Sequence, residues 1–196
     1  MRPTGDDGVQ HPVDARVRRT RKDVLRAALD LLIDEGRDAV THQRLAQVAG
    51  YSRVTLYKHW PTRADLLRDA FGGLRDAHHH TPTGDVRTDL IGELTTFRSV
   101  IEQRRIDRAL AALAELAASH PELADVRDEV VTAGERVLRE LLAPRLQGPE
   151  LEAAILMLSG AILNAAMMHG RPPADDVIAA AVDIVLGSSN PGTVRG

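Results

Sequence analysis

The chain has 196 residues, which is enough for one good-sized domain or for two small ones that share a helix. It contains no cysteine, so disulfides, thiolate nucleophiles and cysteine-based zinc or iron–sulfur sites are excluded. Only 3% of the residues are aromatic, while alanine, leucine and arginine are plentiful. Strong helix formers therefore dominate, and an all-α fold is expected.

The net charge of −3 is unevenly distributed along the chain. Residues 16–63 contain 11 lysines and arginines but only 5 aspartates and glutamates, so the rest of the chain is acidic. A basic N-terminal segment on an acidic protein indicates that one end meets a polyanion. The alternative is a charged face that is merely solvated.

Both ends of the chain are predicted to lack regular structure. Residues 1–15 contain Pro, Gly and Asp without an apolar core, which predicts a disordered tail rather than a signal peptide. Residues 188–196 predict a second, flexible tail. The richest apolar stretch, residues 151–168, is interrupted by polar residues, so no run is expected to span a bilayer. A cytoplasmic location is expected, and the absence of cysteine fits it.

Apolar residues recur at helical spacing along most of the chain, and neither a strand pattern nor an internal repeat accompanies them. The first helix is expected at residues 18–35, ended by Gly36. Thr41 and Ser52 are good N-caps for a second helix at 42–49 and a third at 53–59. Further helices are predicted at about 63–78, 85–103, 105–119, 121–142, 150–168 and 174–186.

The second and third helices, joined through Gly50, are the most informative part of the chain. A helix-turn-helix needs two short helices and a tight turn, because its second helix must stand clear of the body to enter a major groove. Leu45, Val48 and Leu56 are expected to supply the apolar contacts that lock the helix crossing. The second of the two helices presents donors for phosphates or base edges, namely Arg53, Thr55, Tyr57, Lys58 and His59.

Residues 18–71 closely resemble the DNA-binding domain of the TetR family of bacterial regulators. The resemblance rests on an alanine-rich first helix and on the motifs Leu45-Ala46-Gln47-Val48-Ala49-Gly50, Thr55-Leu56-Tyr57-Lys58-His59-Trp60 and Thr62-Arg63-Ala64-Asp65-Leu66-Leu67. The family usually has a small aliphatic residue at Tyr51, often has Gly near Val54, and has Phe at Trp60. These departures bear on the operator sequence and not on the family.

The resemblance implies a homodimer that places the third helix of each protomer in one major groove of a palindromic operator. Its two half-sites would lie roughly 34–36 Å apart on one face of the duplex. The resemblance also implies a helix-turn-helix domain at residues 16–62 and a helical effector-binding and dimerisation domain at 63–187. The expected function is a repressor released by a small, mainly apolar effector. The alternative is a helical ligand carrier or interaction module with a non-functional helix-turn-helix.

The candidate DNA contacts come from the two short helices and their flanks. They are Thr41, Arg44, Tyr51, Ser52, Arg53, Thr55, Tyr57, Lys58, His59 and Arg63. Arg53 is expected to contact a base or phosphate, because arginine can bind guanine through two hydrogen bonds. Tyr57 resembles the family's phosphate-contacting tyrosine, with a core role as the alternative, and Trp60 is expected to be a core residue. A basic arm, made of Arg16, Arg18, Arg19 and Arg21, would reach the DNA backbone or a minor groove, with a disordered tail as the alternative.

The later helices supply candidate effector and dimer residues. The effector pocket is expected among helices four to eight, lined by Phe97, Ile101, Leu110, Leu113, Leu116, Val130, Val137, Met157 and Asn164. With so few aromatic residues, an aliphatic effector is favoured over a flat cationic one. The dimer interface is expected to use Leu151, Ile155, Leu158, Ile162, Ala165, Ile178, Val182 and Val185.

Residues 78–80 are three consecutive histidines, which raises the question of a metal site. Three adjacent histidines cannot all face one ion in regular structure, so a polar loop is expected, in which protonation near pH 6 would still have an effect. The chain has no glycine-rich phosphate loop, nucleophile elbow or zinc-hydrolase motif. No enzyme activity, cofactor or metal is therefore expected.

Overall fold

The computed structural model describes residues 12–76 and 78–187, with side chains described from Arg19 onward. Within these residues it is all-helical, which confirms the predicted fold class. The nine α-helices are α1 (Pro12–Glu35), α2 (His42–Ala49), α3 (Arg53–His59), α4 (Arg63–Gly72), α5 (Val86–Arg104), α6 (Ile106–Ser119), α7 (Ala124–Leu142), α8 (Gly148–His169) and α9 (Asp175–Val185).

The ends of the chain and the boundary between its parts differ from the sequence predictions. Helix α1 begins at Pro12, so residues 12–15 are helical rather than part of a disordered tail. The predicted tails at residues 1–11 and 188–196 lie outside the described residues. The chain divides into two compact units between Ala70 and Phe71, within α4, whereas the predicted boundary followed residue 62. We call them the N-terminal unit and the C-terminal unit.

The end of α4 and the start of α7 also differ from the sequence predictions. Helix α4 stops at Gly72 and gives way to a 3-10 turn at Gly73–Asp76, because two successive glycines disfavour continued helix. Helix α7 begins at Ala124, after a 3-10 turn at Pro121–Leu123. The predicted bounds of α2 and α3 are confirmed residue for residue.

The N-terminal unit is built on α1, which packs against α2 and against a 3-10 turn at Arg37–Ala39. The buried residues of α1 are Val24, Ala28, Leu31 and Leu32, a stripe at helical spacing. Leu45 of α2 and Leu56 of α3 are fully buried, and α2 contacts α3. The helix-turn-helix is therefore held by apolar contacts on one side of each short helix.

The C-terminal unit has its own apolar core, to which α5 contributes contacts with α6, α7, α8 and α9. Asp85 caps α5 by accepting a hydrogen bond from the Thr88 amide at 2.8 Å. The core cluster is formed by Leu90, Leu94, Ile101, Ile106, Leu138, Leu142, Ala154, Ile155, Leu158, Ile162, Ala166, Ile178 and Val182. This core explains which faces of α8 and α9 point inward.

Helix α8 is apolar on more than one side. Among the described residues it is the one helix that is long and apolar enough to cross a membrane, with 22 residues and a mean hydropathy of 1.7 in its most apolar window. By length and composition this helix therefore meets a criterion that the sequence analysis expected residues 151–168 not to meet. Length and composition alone carry little weight, since core helices pass the same test, and one side of α8 lies in the protein core.

Candidate DNA-binding surface and effector cavity

Local hydrogen bonds define the turn between α2 and α3. The Thr41 side chain accepts from the Arg44 amide at 3.1 Å and so caps α2. Gly50 ends α2 with a φ of 73°, a left-handed conformation that glycine adopts without steric cost. Ser52 then caps α3 by accepting from the Thr55 amide at 3.1 Å. Each signal acts over three or four residues, which is why the sequence was sufficient to predict them.

Helix α3 turns one apolar side inward and a mixed polar face outward. Leu56 is buried, whereas Arg53, Val54, Tyr57 and Lys58 are exposed; we call these four residues the recognition face. Neither cation of the recognition face forms an ion pair with a described residue. The sequence analysis missed Val54, which is 80% exposed and is the face's only aliphatic side chain.

Val48 corrects one expectation about the helix crossing. It was predicted to lock α2 against α3, but half of its surface is exposed (50%). Helix α2 instead buries Leu45 together with His42, which sequence analysis had not assigned to the core. A histidine on an otherwise apolar side is hard to recognise in advance, because its burial depends on a distant hydrogen-bond partner.

His42 fixes the position of Tyr57. Its Nε2 lies 2.7 Å from the carbonyl oxygen of Trp60, and its ring stacks on the Tyr57 ring at 4.1 Å with an interplanar angle of 8°. Tyr57 nevertheless remains 53% exposed. The Tyr57 ring is thus packed on one face, while about half of the residue's surface stays exposed.

Trp60 is buried, as expected, and anchors the end of the helix-turn-helix. Its indole Nε1 donates to Asp69 Oδ2 at 2.6 Å. Arg21 also binds Asp69 and lies over the Trp60 ring, 5.4 Å from its centroid. Arg21 is therefore part of the packing of the N-terminal unit. Arg19 is exposed, and the side chains of Arg16 and Arg18 lie outside the described residues.

Two of the predicted DNA contacts have partners inside the N-terminal unit. Arg44 forms two hydrogen bonds to the Glu35 carboxylate, at 3.1 and 2.6 Å, which lower the pKa of Glu35 below its ordinary value. Arg63 donates through Nε to the Val40 carbonyl at 3.0 Å and through Nη2 to the carbonyl of Arg37. Arg44 thus ties the end of α1 to α2, and Arg63 ties the segment after α1 to α4, contacts that residue spacing does not reveal.

The other predicted DNA contacts lie at or beside the turn. Thr41 and Ser52 are exposed capping residues, and Ser52 Oγ lies 2.8 Å from Thr55 Oγ1. Tyr51, Thr55 and His59 are partly buried. The structure thus brings the recognition face and the turn onto one part of the N-terminal unit.

A cavity of about 110 Å³ lies within the C-terminal unit. Of the predicted effector contacts, Phe97, Leu110 and Val130 line it. The remaining predictions fail in two ways. Ile101, Leu113, Leu116 and Val137 are core residues that do not reach the cavity, and Met157 and Asn164 are exposed on α8. Apolar character marks a residue for burial, but it does not distinguish a cavity wall from solid core.

The cavity walls are otherwise mainly aliphatic, with a few polar groups that sequence analysis missed. The additional lining residues are Leu74, His78, His79, Glu93, Leu94, Val100, Ile106, Val131, Gly134, Glu135, Leu138, Ser159 and Leu163. A mostly apolar wall with a few polar groups is typical of small-molecule sites.

Residues 78–80 form a loop, as expected, but it is fastened to buried carboxylates of α5. Glu93 Oε1 lies 2.7 Å from His79 Nδ1, and Glu93 Oε2 accepts from the His80 amide at 2.8 Å. Asp89 accepts from the Thr83 amide and hydroxyl, each at 2.7 Å, and from the Gly84 amide at 3.0 Å. These hydrogen bonds, those of Thr83 above all, lower the pKa of Asp89. The described residues contain no group of three or more His, Cys, Asp or Glu side chains that could hold a metal ion.

The predicted dimer residues lie on the inner side of α8 and α9. Five of them are core residues with at most 1% exposure: Ile155, Leu158, Ile162, Ile178 and Val182. Leu151 and Val185 pack against the same core, and Ala165 is partly buried. The prediction was wrong for the five core residues because the C-terminal unit itself already covers their side chains.

A different set of large apolar residues on α8 and α9 is exposed. We call it the outer apolar face: Leu156, Met157, Met167, Met168, Val177 and Ile184. On α8, Leu156, Gly160, Asn164 and Met168 recur every four residues and therefore share one side of the helix. That side is opposite to the core residues, so α8 has two apolar sides with different environments.

Comparison with known proteins identifies the family. Residues 24–70 match the family model for bacterial regulatory proteins of the tetR family, and residues 80–185 match the tetracyclin repressor-like C-terminal domain. An HTH-type transcriptional regulator of Mycobacterium tuberculosis is 30% identical over 174 residues, covering 84% of each chain. The tetracycline repressor protein class A from transposon 1721 of Escherichia coli is 34% identical over 109 residues, covering 53% of this chain and 50% of the repressor.

Solved structures agree with the sequence matches. The TetR family transcription regulator SCO0332 has a TM-score of 0.63 at 28% identity, covering 88% of this chain and 100% of the other. A regulator from Streptomyces coelicolor A3(2) shares the fold, with a TM-score of 0.67 at 23% identity, covering 85% and 98% of the two chains. The chain is thus an all-α, helix-turn-helix DNA-binding transcription regulator and not an enzyme. It belongs to the TetR family of bacterial regulatory proteins.

Proposed function

We propose that the chain acts in the cytoplasm as a homodimeric repressor, which binds a palindromic operator and is released by a small effector. The observation that carries the proposal is the recognition face of α3, on which Arg53 and Lys58 are exposed and lack an ion-pair partner among the described residues. Exposed cations on a short capped helix suit a major groove, where arginine binds guanine and lysine neutralises phosphates.

The outer apolar face supports the dimer. Large apolar side chains are exposed along one side of α8, and Ile184 of α9 is 65% exposed. Several large apolar side chains exposed on neighbouring helices mark an interaction site, and a twofold pairing would bury the same residues on both copies. Small residues on this side, such as Gly160, would allow two helices to approach closely. The proposed interface therefore replaces the inner residues predicted from sequence.

The cavity of the C-terminal unit supports a separate effector site within residues 63–187. Release from the operator then requires that the effector bind one conformation of the dimer better than another. The difference in affinity between the two conformations sets the largest possible shift in operator binding.

Selection of bound fragments from random DNA tests the proposal. The parent chain should enrich an inverted repeat, and its affinity should fall log-linearly with salt concentration. Arg53→Ala should weaken binding of the selected DNA by roughly 5- to 150-fold, because a bidentate base contact contributes about 1–3 kcal/mol. A reporter gene placed behind the selected sequence should be expressed less when the chain is present.

Arg136→Ala on α7 is the matched control, because it removes the same charge from an exposed arginine of the other unit. It should leave DNA affinity unchanged. Equal losses in both variants would mean that general charge, and not the recognition face, governs binding. Enrichment of no sequence would favour the helical ligand carrier or interaction module.

A further inference from the structure

The walls of the cavity in the C-terminal unit favour a ligand with an aliphatic hydrocarbon part. Leu94, Val100, Ile106, Leu110 and their neighbours supply mainly branched aliphatic surface. Phe97 is the only Phe, Tyr or Trp among the lining residues, so the cavity has no pair of phenyl or indole rings between which a flat ligand could stack. The cavity volume of about 110 Å³ is smaller than the roughly 150 Å³ that accommodates benzene, so the ligand body should be no larger than a short branched alkyl group.

The charged groups that line the cavity are carboxylates. Glu93 and Glu135 both line it, and no lysine or arginine does. The other polar lining groups are His78, His79 and Ser159. An anionic ligand would meet two like charges in a partly desolvated site, which is unfavourable, whereas a cation would meet opposite charges.

Glu135 forms only a long ion pair with Arg139, whose Nη2 lies 4.0 Å from Glu135 Oε2. That guanidinium forms two hydrogen bonds with Glu152, one of them at 2.9 Å. Burial therefore raises the pKa of Glu135, despite the opposing effects of Arg139 and of a hydrogen bond with Ser159. A ligand cation at hydrogen-bond distance would compensate the charge of the Glu135 carboxylate more fully than Arg139 does at 4.0 Å.

Glu93 provides a second, more deeply buried carboxylate. His79 and the His80 amide bind its two oxygens, so its position is fixed before any ligand arrives. The remaining titratable groups near this corner are His78, which is exposed, and Asp89, whose Oδ1 lies 3.4 Å from His80 Nε2. The two glutamates are thus the acidic side chains of the cavity wall, and no lysine or arginine among the lining residues offsets them.

We propose that this cavity binds a small aliphatic amine, with the protonated nitrogen held by Glu135 and Glu93 and the hydrocarbon body against the aliphatic walls. An alkylamine is a cation at neutral pH, as the lysine side chain is. This inference rests on the proposed function only in assigning the amine the role of effector. The binding itself depends on the described residues of the C-terminal unit alone.

The test compares three probes that carry the same isobutyl group: isobutylamine, isobutanol and 3-methylbutanoate. Titration calorimetry with the full chain, in the absence of DNA, should show that the amine binds at least about tenfold more tightly than either of the others. We expect about tenfold because a hydrogen bond to a charged group adds about 1.4 kcal/mol more to the binding free energy than a neutral one does. If the alcohol or the carboxylate binds as tightly as the amine, or if none binds, the inference is wrong.

Variants distinguish a binding role from a structural role. Glu135→Gln should weaken amine binding about tenfold and leave isobutanol binding unchanged. Its melting temperature should stay equal or rise, because burial disfavours the ionised form of Glu135. Glu93→Gln gives a second measurement of the amine preference, should one variant fold poorly.

Glu140→Gln is the matched control, since it removes an exposed carboxylate from the same helix. An equal loss of amine binding in this control, or no loss in Glu135→Gln, would overturn the inference. DNA binding by the parent is measured separately. An operator-binding chain without amine preference would refute only the ligand class, whereas amine binding without any operator would refute only the proposed function.

Discussion

Helices α3 and α8 were both placed correctly along the chain, yet only the orientation of α3 followed from the sequence. Helix α3 has a single buried residue, Leu56, and, apart from the exposed Val54, polar residues on its other sides, so its inward side is unambiguous. Helix α8 is apolar on opposite sides, and its predicted interface residues proved to be core. A sequence pattern gives the orientation of a helix only when one side alone is apolar.

The two helices also leave different surfaces without a partner. The recognition face of α3 presents cations that suit a polyanion, whereas the outer apolar face of α8 and α9 presents surface that suits a second apolar surface. The N-terminal unit would then bind DNA, and the C-terminal unit would bind another copy of the chain.

The largest expected effect concerns the outer apolar face. Leu156→Glu combined with Met168→Glu should convert the proposed dimer to a monomer and weaken self-association by at least about 100-fold. Each lost apolar burial costs about 1.5–3 kcal/mol, and a buried carboxylate without a partner adds to that loss. Light scattering should report a fall from twice the chain mass of 21.3 kDa to that mass.

Thr132→Glu on α7 is the control for this change, because it adds a carboxylate at an exposed position outside the outer apolar face. It should leave the dimer intact. A parent chain that is monomeric, or a double variant that remains dimeric, would contradict the assignment of the outer apolar face as the dimer interface.

A smaller effect is expected where the C-terminal unit depends on contacts between a loop and a helix. Asp89→Asn should lower the melting temperature by several degrees, because the amide cannot accept all three hydrogen bonds from Thr83 and Gly84. Ser52→Ala, which removes only a local cap in the N-terminal unit, should cost about 1 kcal/mol and lower it less. Thermal melts of both variants provide the comparison.

The stability difference between the parent and Asp89→Asn should also depend on pH in a defined direction. Hydrogen bonds lower the pKa of folded Asp89 below its ordinary value of 3.8, so the ionised carboxylate stabilises the fold above that value. This stability is lost as the pH falls from 3.8 through the lower, folded value. The difference between parent and Asp89→Asn should therefore be constant near neutral pH and shrink in acid. A difference that grows in acid would contradict the assignment.

These contrasts explain how much of the molecule the sequence could predict. The caps Thr41 and Ser52 and the turn at Gly50 act within a few residues, and they were read correctly. The pairing of Arg44 with Glu35 and the burial of Glu93 beside His79 depend on which helices meet in space. Neither arrangement has a signature in spacing, so the internal use of Arg44 and the polar side of the cavity were missed.

The smallest predicted effect tests the one recognition-face residue that the sequence analysis overlooked. Val54 is an aliphatic side chain next to Arg53 at the start of α3, and its exposure has no explanation within the chain. Apolar side chains in a major groove contact the 5-methyl group of thymine. We therefore expect a thymine in each half-site whose methyl group meets Val54.

Replacing that thymine with deoxyuridine removes only the methyl group. Binding of the parent should weaken about fourfold, the value of one buried methyl group at about 0.8 kcal/mol. Val54→Ala should bind both DNAs nearly equally, since the contact is already lost, and anisotropy titrations of the four combinations give the coupling energy directly. A parent indifferent to every thymine methyl group in the half-site would mean that Val54 faces away from the bases. The recognition face would then bind DNA through its cations and Tyr57 alone, and most of its affinity would come from the phosphate backbone rather than from the base sequence.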